Sequence, residues 1–389
     1  MQIRRARIAT SLVFLLFGTA LGVWTARIPT IKENLGLSDG RLTFALLAFA
    51  AGCILGMLVL GRLTDRFGSS RVLIPASILE GLLLIAPGFS GTLVALSIAL
   101  FAFGAVHGTL NIAMNANAIE VQRAWGSPII SSFHAIYSIG GFLGALTGSL
   151  FARAGAGADL TFLAVGASVA VLAGLAARWI MPGTPVIESV TAEPASKRTP
   201  LLFFFGILVL CTLVGEGAAA DWSAVYLRDN LGTTTSFAAY GYAAFAIMMT
   251  LGRLVGDRVT TALGPVLLVR LSGALAALGL GTALLLDHPF AGVAGFGLLG
   301  LGLSCIAPQV FSAAGNLDPA RSGRALSLVV SIGYLGFLLG PILIGAAATV
   351  VGLPTALWIP VVLAIFVAAS APTMRLVDTA VPEPSEQPG

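Results

Sequence analysis

The chain has 389 residues, of which 10% are charged and 57% are hydrophobic, and its mean hydropathy is +0.97. Soluble domains carry roughly a quarter charged residues, so this composition excludes an ordinary soluble protein and indicates that lipid is the main solvent. The net charge of +4 does not indicate a nucleic-acid partner, because the arginines stand singly or in small groups between long apolar runs. The three cysteines lie inside apolar runs without metal-ligand spacing, so we expect no disulfide, metal site or cofactor.

The first apolar segment has two interpretations. Arg4, Arg5 and Arg7 precede an apolar run from Ile8 to Val23, as in a signal peptide. The run ends on Trp24, a residue type that anchors helices at membrane interfaces, and similar apolar segments continue to the C-terminus. We therefore interpret it as a first membrane span.

Twelve segments are long and apolar enough to cross a membrane, which needs roughly 20 residues of helix. In the first half they are Ile8 to Ala26, Leu42 to Leu60, Val72 to Pro87, Leu93 to Ile119, Ser131 to Ala152 and Leu160 to Ile180. In the second half they are Leu201 to Leu227, Phe237 to Leu254, Val266 to Leu286, Phe290 to Ala313, Ala325 to Val350 and Thr355 to Met374. The third is the weakest, because Pro75 and Pro87 interrupt it.

The polar segments divide the chain into two bundles. We predict a first bundle over residues 1–181, a linker rich in Pro, Ser, Thr and Glu over 182–200, a second bundle over 201–377 and a tail over 378–389. With the N-terminus in the cytoplasm, all 21 Lys and Arg residues fall inside except Arg27, Lys32, Arg41, Arg153 and Arg228. This asymmetry obeys the positive-inside rule and predicts that both termini are cytoplasmic.

Two short patterns recur about 190 residues apart. The loop Gly61 to Gly68, which follows the second span, is echoed by Gly252 to Arg258 after the eighth, and Ser138-Ile139-Gly140 returns as Ser331-Ile332-Gly333. The halves are therefore predicted to be parallel repeats of six helices.

The first of these loops carries a family resemblance. The signature between the second and third helices of the major facilitator superfamily is matched by Gly61, Leu63, Asp65, Arg66, Gly68 and Arg71. The resemblance covers nearly the whole chain, and three shorter segments are similar to the YbjJ-type bacterial branch: Trp24 to Pro29, Gly215 to Trp222 and Gly333 to Phe337. It implies an all-α polytopic membrane protein with twelve transmembrane helices in two six-helix bundles, acting as a monomer in the bacterial inner membrane.

The resemblance also implies a gating role for the loop. In the superfamily, its Asp and Arg tie the two halves together in one state of the transport cycle, so Asp65 and Arg66 inherit that role; topological anchoring alone is the alternative. The second copy, with Asp257 and Arg258, departs from the pattern because an extra glycine precedes the Asp and no glycine matches Gly68. We expect its gating role to be weaker.

Ionisable residues inside membrane spans are costly and therefore functional candidates. Glu216, past the middle of the seventh span, is the predicted proton-coupling carboxylate, with a helix-packing role as the alternative. Asp221 is a second candidate for which a structural role is favoured. Glu80 stands isolated among aliphatic residues, which favours packing or lipid-interface adaptation. Arg27 is interpreted as a snorkelling anchor.

Polar residues line one side of the fourth span. His107, Asn111 and Asn115 follow one another at intervals of four residues, and the resemblance implies that this helix lines a central cavity. We predict that they bind a small-molecule substrate, with ordinary interhelical hydrogen bonding as the alternative. Tyr137 and Gln309 are weaker candidates for the same role, and His107 is also a candidate for proton coupling.

The function predicted from these features is secondary transport of a small polar metabolite by alternating access, with protons as the driver and import by symport preferred. Neither Lys32 nor Lys197 stands in a phosphate-binding loop, which excludes ATP-driven transport by this chain alone. The fifth span lacks the Gly-Pro pair usual in drug antiporters of the superfamily. Multidrug or natural-product efflux and a non-transporting membrane sensor remain as alternatives. No nucleophile, base and orienting group fall at a recognisable spacing, so an enzyme is not predicted.

Overall fold

The computed structural model describes residues 2–183, 199–317 and 321–380, and all regular structure in these ranges is helical. Most of the predicted linker, including Lys197, and most of the predicted tail lie outside the described residues. In chain order the helices are α1 (Gln2–Asn34), α2 (Asp39–Leu55), α3 (Arg62–Phe67), α4 (Ser69–Ile85), α5 (Leu93–Trp125), α6 (Ile130–Arg153), α7 (Ala158–Ala176), α8 (Thr199–Val225), α9 (Thr235–Leu286), α10 (Pro289–Leu303), α11 (Ile306–Leu317), α12 (Ser322–Val351), α13 (Leu353–Ala356) and α14 (Trp358–Ser370).

Within the described ranges, eleven helical segments are long and apolar enough to cross a membrane. One of them contains two spans. Helix α9 has 52 residues, or roughly 78 Å of rise, which is more than twice the thickness of a hydrocarbon core. It is broken at Gly264, whose φ of 76° and ψ of 160° are accessible to glycine, just before Pro265. The two arms of α9 bring the number of crossing segments to twelve.

Two predicted spans are irregular in the structure. The segment predicted as one helix from Phe290 to Ala313 consists of α10 and α11, which are separated at Ser304 and Cys305. The segment predicted from Leu42 to Leu60 begins as α2 and ends in a π-helical turn, Gly56–Leu60, next to α3. Single π-helical turns occur frequently at functional sites, and this one directly precedes the Gly61 to Gly68 loop.

The chain forms two compact units that do not follow the sequence halves completely. The first contains the described residues of Met1–Ser127, Phe133–Ala192 and Ala320–Ser327, and the second those of Pro128–Ser132, Glu193–Pro319 and Leu328–Gly389. The first turn of α12 thus belongs to the first unit, and the first three residues of α6 belong to the second.

In the first unit the spanning helices pack in three pairs through glycines. Helix α2 packs on α5, where a Cβ on Gly108 would overlap the carbonyl of Cys53. Helix α4 packs on α7, where Gly81 and Gly166 face each other. Helix α1 packs on α6, where a Cβ on Gly144 would overlap the α1 backbone. Small residues let backbones approach this closely in membrane proteins, so each pair is tightly joined.

The second unit repeats this pairing. Glycines bring α8 against α12 at Gly336, the first arm of α9 against α10 at Gly300, and the second arm of α9 against α14 at Gly273. In span order the pairs are one with five, two with four and three with six in both units. This is the arrangement expected of a parallel repeat.

Hydrogen bonds hold the segment that follows α7 against α4 and α5. The side-chain amide nitrogen of Asn117 donates to the carbonyl of Met181 at 3.0 Å, and the backbone N–H of Gly183 donates to the Ser70 hydroxyl at 3.0 Å. Asn117 Nδ2 also lies 3.3 Å from a carboxylate oxygen of Glu120. The chain that leaves the first unit is therefore held by α4 and α5 up to Gly183.

Candidate functional site

Asp65 holds the start of α12 within the first unit. Its Oδ1 accepts a hydrogen bond from the backbone N–H of Gly323 and its Oδ2 one from that of Arg324, both at 2.7 Å. The first N–H groups of a helix have no partner inside the helix, and the helix dipole favours negative charge there. The carboxylate therefore supplies both hydrogen bonds and a favourable charge. The Ser327 hydroxyl adds a hydrogen bond to the carbonyl of Met57.

Asp257 holds the start of α6 within the second unit in the same way. Its Oδ1 accepts from the backbone N–H of Ser131 at 2.8 Å and its Oδ2 from that of Ser132 at 3.0 Å. The sequence-based expectation of a weaker second copy rested on the missing glycine. The bonds formed by Asp257 match those of Asp65, because both carboxylates reach two successive N–H groups of a helix start.

The glycine thought to be missing from the second copy lies further along the chain. Gly68, between α3 and α4, has φ 87° and ψ 149°, and Gly264 has nearly the same conformation at the break in α9. The expectation that no glycine matches Gly68 is therefore wrong. Three of the arginines in or next to the two loops, Arg66, Arg71 and Arg258, are exposed, and Arg66 lies over the Phe67 ring at 5.3 Å.

Glu80 pairs with His107, contrary to the expectation that it stands isolated among aliphatic side chains. The Nδ1 atom of His107, on α5, lies 2.6 Å from Oε1 of Glu80, on α4. The exposed fractions of the two side chains are 2% and 0%. The second carboxylate oxygen of Glu80 has no hydrogen-bond partner among the described residues. The first unit thus contains a completely buried acid and base in direct contact.

Aromatic rings cover this pair. Phe17 of α1 stacks on the His107 ring, with centroids 3.9 Å apart and an angle of 12° between the planes. Phe49 of α2 and Phe103 of α5 lie at 5.6 and 5.9 Å from the same ring. The pair therefore sits in an apolar surrounding, where an uncompensated charge is costly.

The predicted polar stripe on α5 is buried. Asn115 donates to the carbonyl of Asn111 at 2.8 Å and to its side-chain oxygen at 3.2 Å. The side-chain oxygen of Asn115 has no partner among the described residues. Tyr137 of α6 is half-buried, and its ring lies 5.7 Å from that of Phe17. The stripe thus offers an acceptor on α5, while the amide donor of Asn115 is used within the helix.

Glu216, on α8 in the second unit, faces Arg253 on the first arm of α9. The Nη2 atom of Arg253 lies 3.5 Å from Oε1 of Glu216, and the side chains are 8% and 19% exposed. Within the described ranges Oε1 has no hydrogen-bond partner, so this oxygen is held near Arg253 by charge rather than by a directed bond. Arg253 also donates from Nε to the carbonyl of Ser304 at 3.4 Å. Asp221, one and a half turns further along α8, is exposed.

Two other residues differ from what the sequence suggests. Gln309 donates to the hydroxyls of Thr260 at 3.0 Å and Ser131 at 3.4 Å, so its amide nitrogen supports the helix start held by Asp257. Arg27 is only 1% exposed and donates to the carbonyl of Ala156 at 2.6 Å. The interpretation of Arg27 as a snorkelling anchor is therefore wrong, because its guanidinium is enclosed within the bundle.

The sequence analysis did not identify the ionic partners of Glu216 and His107. Arg253 was assigned to the cytoplasmic loop that echoes the Gly61 to Gly68 loop, although it lies on the α9 arm and pairs with Glu216. Glu80 was set aside because its neighbours in sequence are aliphatic. A usable signal was present: an acid and a histidine in neighbouring apolar spans each require a partner in lipid, and each is the other's candidate.

The helices, the repeated pairing and the buried ionisable pairs define a polytopic α-helical membrane protein of the secondary-transporter class. A family model described as Major Facilitator Superfamily matches residues 9–317 and 204–389. The chain is also 34% identical over 373 residues to an uncharacterized MFS-type transporter of Yersinia pestis, with 94% of each chain covered. This protein therefore belongs to the Major Facilitator Superfamily, and the predicted fold of twelve spans in two bundles is confirmed. The narrower YbjJ-type resemblance stays a prediction.

Solved structures share the fold at low sequence identity. The E. coli fucose:proton symporter FucP superposes with a TM-score of 0.74 at 15% identity, covering 94% of this chain and 98% of FucP. The proton:xylose symporter XylE gives a TM-score of 0.75 at 16% identity, covering 95% of this chain and 94% of XylE. These likenesses concern the fold alone. The family consists of transporters, so the protein is a secondary transporter and not an enzyme.

Proposed function

We propose that this secondary transporter imports a small polar metabolite across the bacterial inner membrane by alternating access, in symport with protons. The protein acts as a monomer with both termini in the cytoplasm. The observation that carries the proposal is Glu216, an acid inside a membrane helix whose Oε1 meets Arg253 at 3.5 Å without a hydrogen bond. Such a carboxylate can exchange its ionic partner for a proton without breaking directed bonds.

The helix starts support the alternating-access part of the proposal. Asp65 and Asp257 each contact two N–H groups at the first turn of a helix whose remaining residues belong to the other compact unit. Charge-assisted hydrogen bonds of this kind are strong, yet they form and break without rearranging the helix itself. They suit contacts that stabilise one state of a cycle and are released in another, and this is the gating role proposed for both loops.

A polar substrate is supported by α5. His107, Asn111 and Asn115 share one side of the helix, and the Asn115 side-chain oxygen is an unused buried acceptor. An acceptor of this kind suits a hydroxyl or N–H donor on the substrate. FucP and XylE are named as proton symporters of sugars, which makes sugars the first compounds to test.

The test begins with a thermal-shift screen of the purified protein against L-fucose, D-xylose, organic acids, nucleosides and drugs. A stabilising compound is then followed in proteoliposomes with and without a pH gradient. Uptake that is accelerated by an inward proton gradient supports the proposal. Transport directed outward, against the inward movement of protons, would identify an efflux carrier, and binding without counterflow would identify a sensor.

A further inference from the structure

The contact between Glu80 and His107 has no role in the proposed function, which uses His107 only as part of the polar side of α5, and the two side chains are 0% and 2% exposed. We propose that this pair is a proton-binding site, which holds one proton while the surrounding helices are closed and releases it when they open. The inference rests on the proposed proton coupling and adds a site in the first unit to the one proposed at Glu216.

The count of protons follows from the contact together with its burial. At 2.6 Å, His107 Nδ1 and Glu80 Oε1 share a hydrogen, and the pair has no net charge when it is either imidazolium with carboxylate or imidazole with carboxylic acid. Loss of the shared extra proton would leave a neutral imidazole donating its Nδ1–H to a carboxylate. That form has a net charge of −1 at an exposed fraction of 0%, which is more costly than either neutral form. The closed arrangement therefore retains its proton.

Few other titratable groups face the pair. Helix α1 contributes Phe17, α2 contributes Phe49 and the Cys53 thiol, and α5 contributes Phe103. On α7, the contact with α4 is made by Gly166 and Ala170. Tyr137 of α6 lies behind Phe17, with ring centroids 5.7 Å apart. Among the described residues named here, the thiol of Cys53 is the titratable group nearest in kind to a direct neighbour of Glu80, and a test has to separate it from the pair.

The pair lies where the three helix pairs of the first unit meet. Glu80 belongs to the α4/α7 pair, His107 to the α2/α5 pair, and the covering Phe17 to the α1/α6 pair. Because each pair is joined backbone to backbone, motion within the unit separates whole pairs from one another. Any such separation breaks the acid–base contact or uncovers the imidazole, and water then reaches the proton.

The alternative is a buried hydrogen bond that stabilises the unit and never opens. The two cases differ in how opening depends on pH. If opening releases one proton, the closed form is favoured at low pH, and the opening equilibrium constant rises up to about tenfold per pH unit as pH increases. A purely structural pair keeps its proton in every accessible state, so its opening constant is independent of pH.

The measurement is hydrogen–deuterium exchange of the full chain in nanodiscs without substrate, between about pH 7 and 9, where a solvated imidazole does not retain the released proton, with rates corrected for intrinsic exchange. For backbone amides of α4 and α5 near Glu80 and His107, we expect the corrected opening constant to rise about tenfold per pH unit. In the Glu80→Gln variant, the amide cannot lose a proton, and the slope should be zero.

Two substitutions control for other groups. Glu120→Gln removes another acid of the first unit, and Cys53→Ser removes the neighbouring thiol; both should keep the wild-type slope. If the opening constant of the wild-type protein does not depend on pH, the proposal is overturned without any variant. A slope that survives in Glu80→Gln overturns it as well. If Glu80→Gln does not fold, the double variant Glu80→Met with His107→Phe, which replaces both members of the pair with apolar side chains, is the second variant, and it should also lose the slope.

This outcome is separate from that of the proposed function. Gradient-driven uptake in proteoliposomes together with a flat exchange profile would keep proton-coupled transport and remove this site from it. A tenfold slope in a protein that transports nothing would keep the proton site and defeat the transport proposal.

Discussion

The two units differ in the basic side chain that faces an acid inside a membrane helix. They are alike in the way an aspartate binds the first N–H groups of a helix, α12 in the first unit and α6 in the second. In the first unit the partner of Glu80 is the imidazole of His107, and in the second unit the partner of Glu216 is the guanidinium of Arg253. An imidazole and a carboxylate that share one extra proton have no net charge, whereas a proton on Glu216 leaves the guanidinium without its counter-charge. The two acids are therefore suited to different steps of proton transfer.

The largest expected effect is on coupling in the second unit. Gln in place of Glu216 mimics the protonated acid, so Glu216→Gln should abolish uptake driven by a pH gradient while exchange of substrate continues. Exchange requires alternating access but no net release of protons. The measurement is gradient-driven uptake and counterflow, in the same proteoliposomes, of a compound identified by the screen. If gradient-driven uptake survives, Glu216 is not the coupling residue and the first-unit pair remains the proton site to be tested.

The variants Asp65→Asn and Asp257→Asn test whether the two aspartates have equivalent roles at the starts of α12 and α6. Each change leaves one neutral acceptor oxygen where the carboxylate has two charged ones, and places an amide NH2 group opposite the second backbone N–H, at a cost of about 3 kcal/mol to the state that the carboxylate stabilises. The conformational balance then shifts by about a hundredfold, and counterflow should fall strongly in both variants while membrane insertion remains normal. Arg62→Gln, at an exposed position of the first loop, serves as the matched control. Normal transport by Asp257→Asn, with impaired transport by Asp65→Asn, would support the expectation from the sequence that the second loop has the weaker gating role.

The difference between the cations also predicts unequal stability. Glu216→Gln leaves the charge of Arg253 buried and should lower the free energy of unfolding by about 3 kcal/mol. Glu80→Gln leaves a neutral imidazole that can still hydrogen-bond to the amide, so a loss of about 1 kcal/mol is expected. Thermal unfolding in one detergent compares the two. The double variant Glu216→Gln with Arg253→Gln should recover part of the loss, and equal losses in the single variants would mean that the two cations behave alike.

A smaller effect is expected on the polar side of α5. Asn111→Ala removes one neutral hydrogen-bonding group from the stripe and should weaken binding of a screened compound by about 1 kcal/mol, roughly fivefold in Kd. Proton coupling should remain, because Glu80, His107 and Glu216 are unchanged. Binding measured by titration calorimetry checks the first point and gradient-driven uptake the second. Unchanged affinity would assign the stripe to helix packing.

No loss of transport is expected from tags that test orientation. Epitope tags at Met1, between Gly183 and Thr199, and after Gly389 should all be detected in the cytoplasm, since the basic residues are concentrated on that side. Protease protection in spheroplasts and inverted vesicles measures this. Detection of any of the three tags in the periplasm would contradict the arrangement of six spans on each side of the linker.

The sequence predicted what depends on local composition. Span length and the repeat follow from hydropathy and short motifs, and they describe the fold well. The contacts of the candidate site depend on residues distant in sequence. His107 lies 27 positions from Glu80, and Gly323 lies 258 positions from Asp65. Neither partner is visible without knowing which helices pack together. The matching glycine of the second loop was missed because its spacing from Asp257 differs from that between Asp65 and Gly68.

The bonds of Met181 and Gly183 extend the packed part of the first unit beyond the end of α7. Because these residues are held by Asn117 and Ser70, the backbone up to Gly183 keeps fixed contacts with α4 and α5. A residue inserted between α7 and Gly183 would shift both backbone groups away from their side-chain partners, at a cost of about 1 kcal/mol for each hydrogen bond lost. Changes in chain length are therefore expected to be poorly tolerated at the start of the predicted linker.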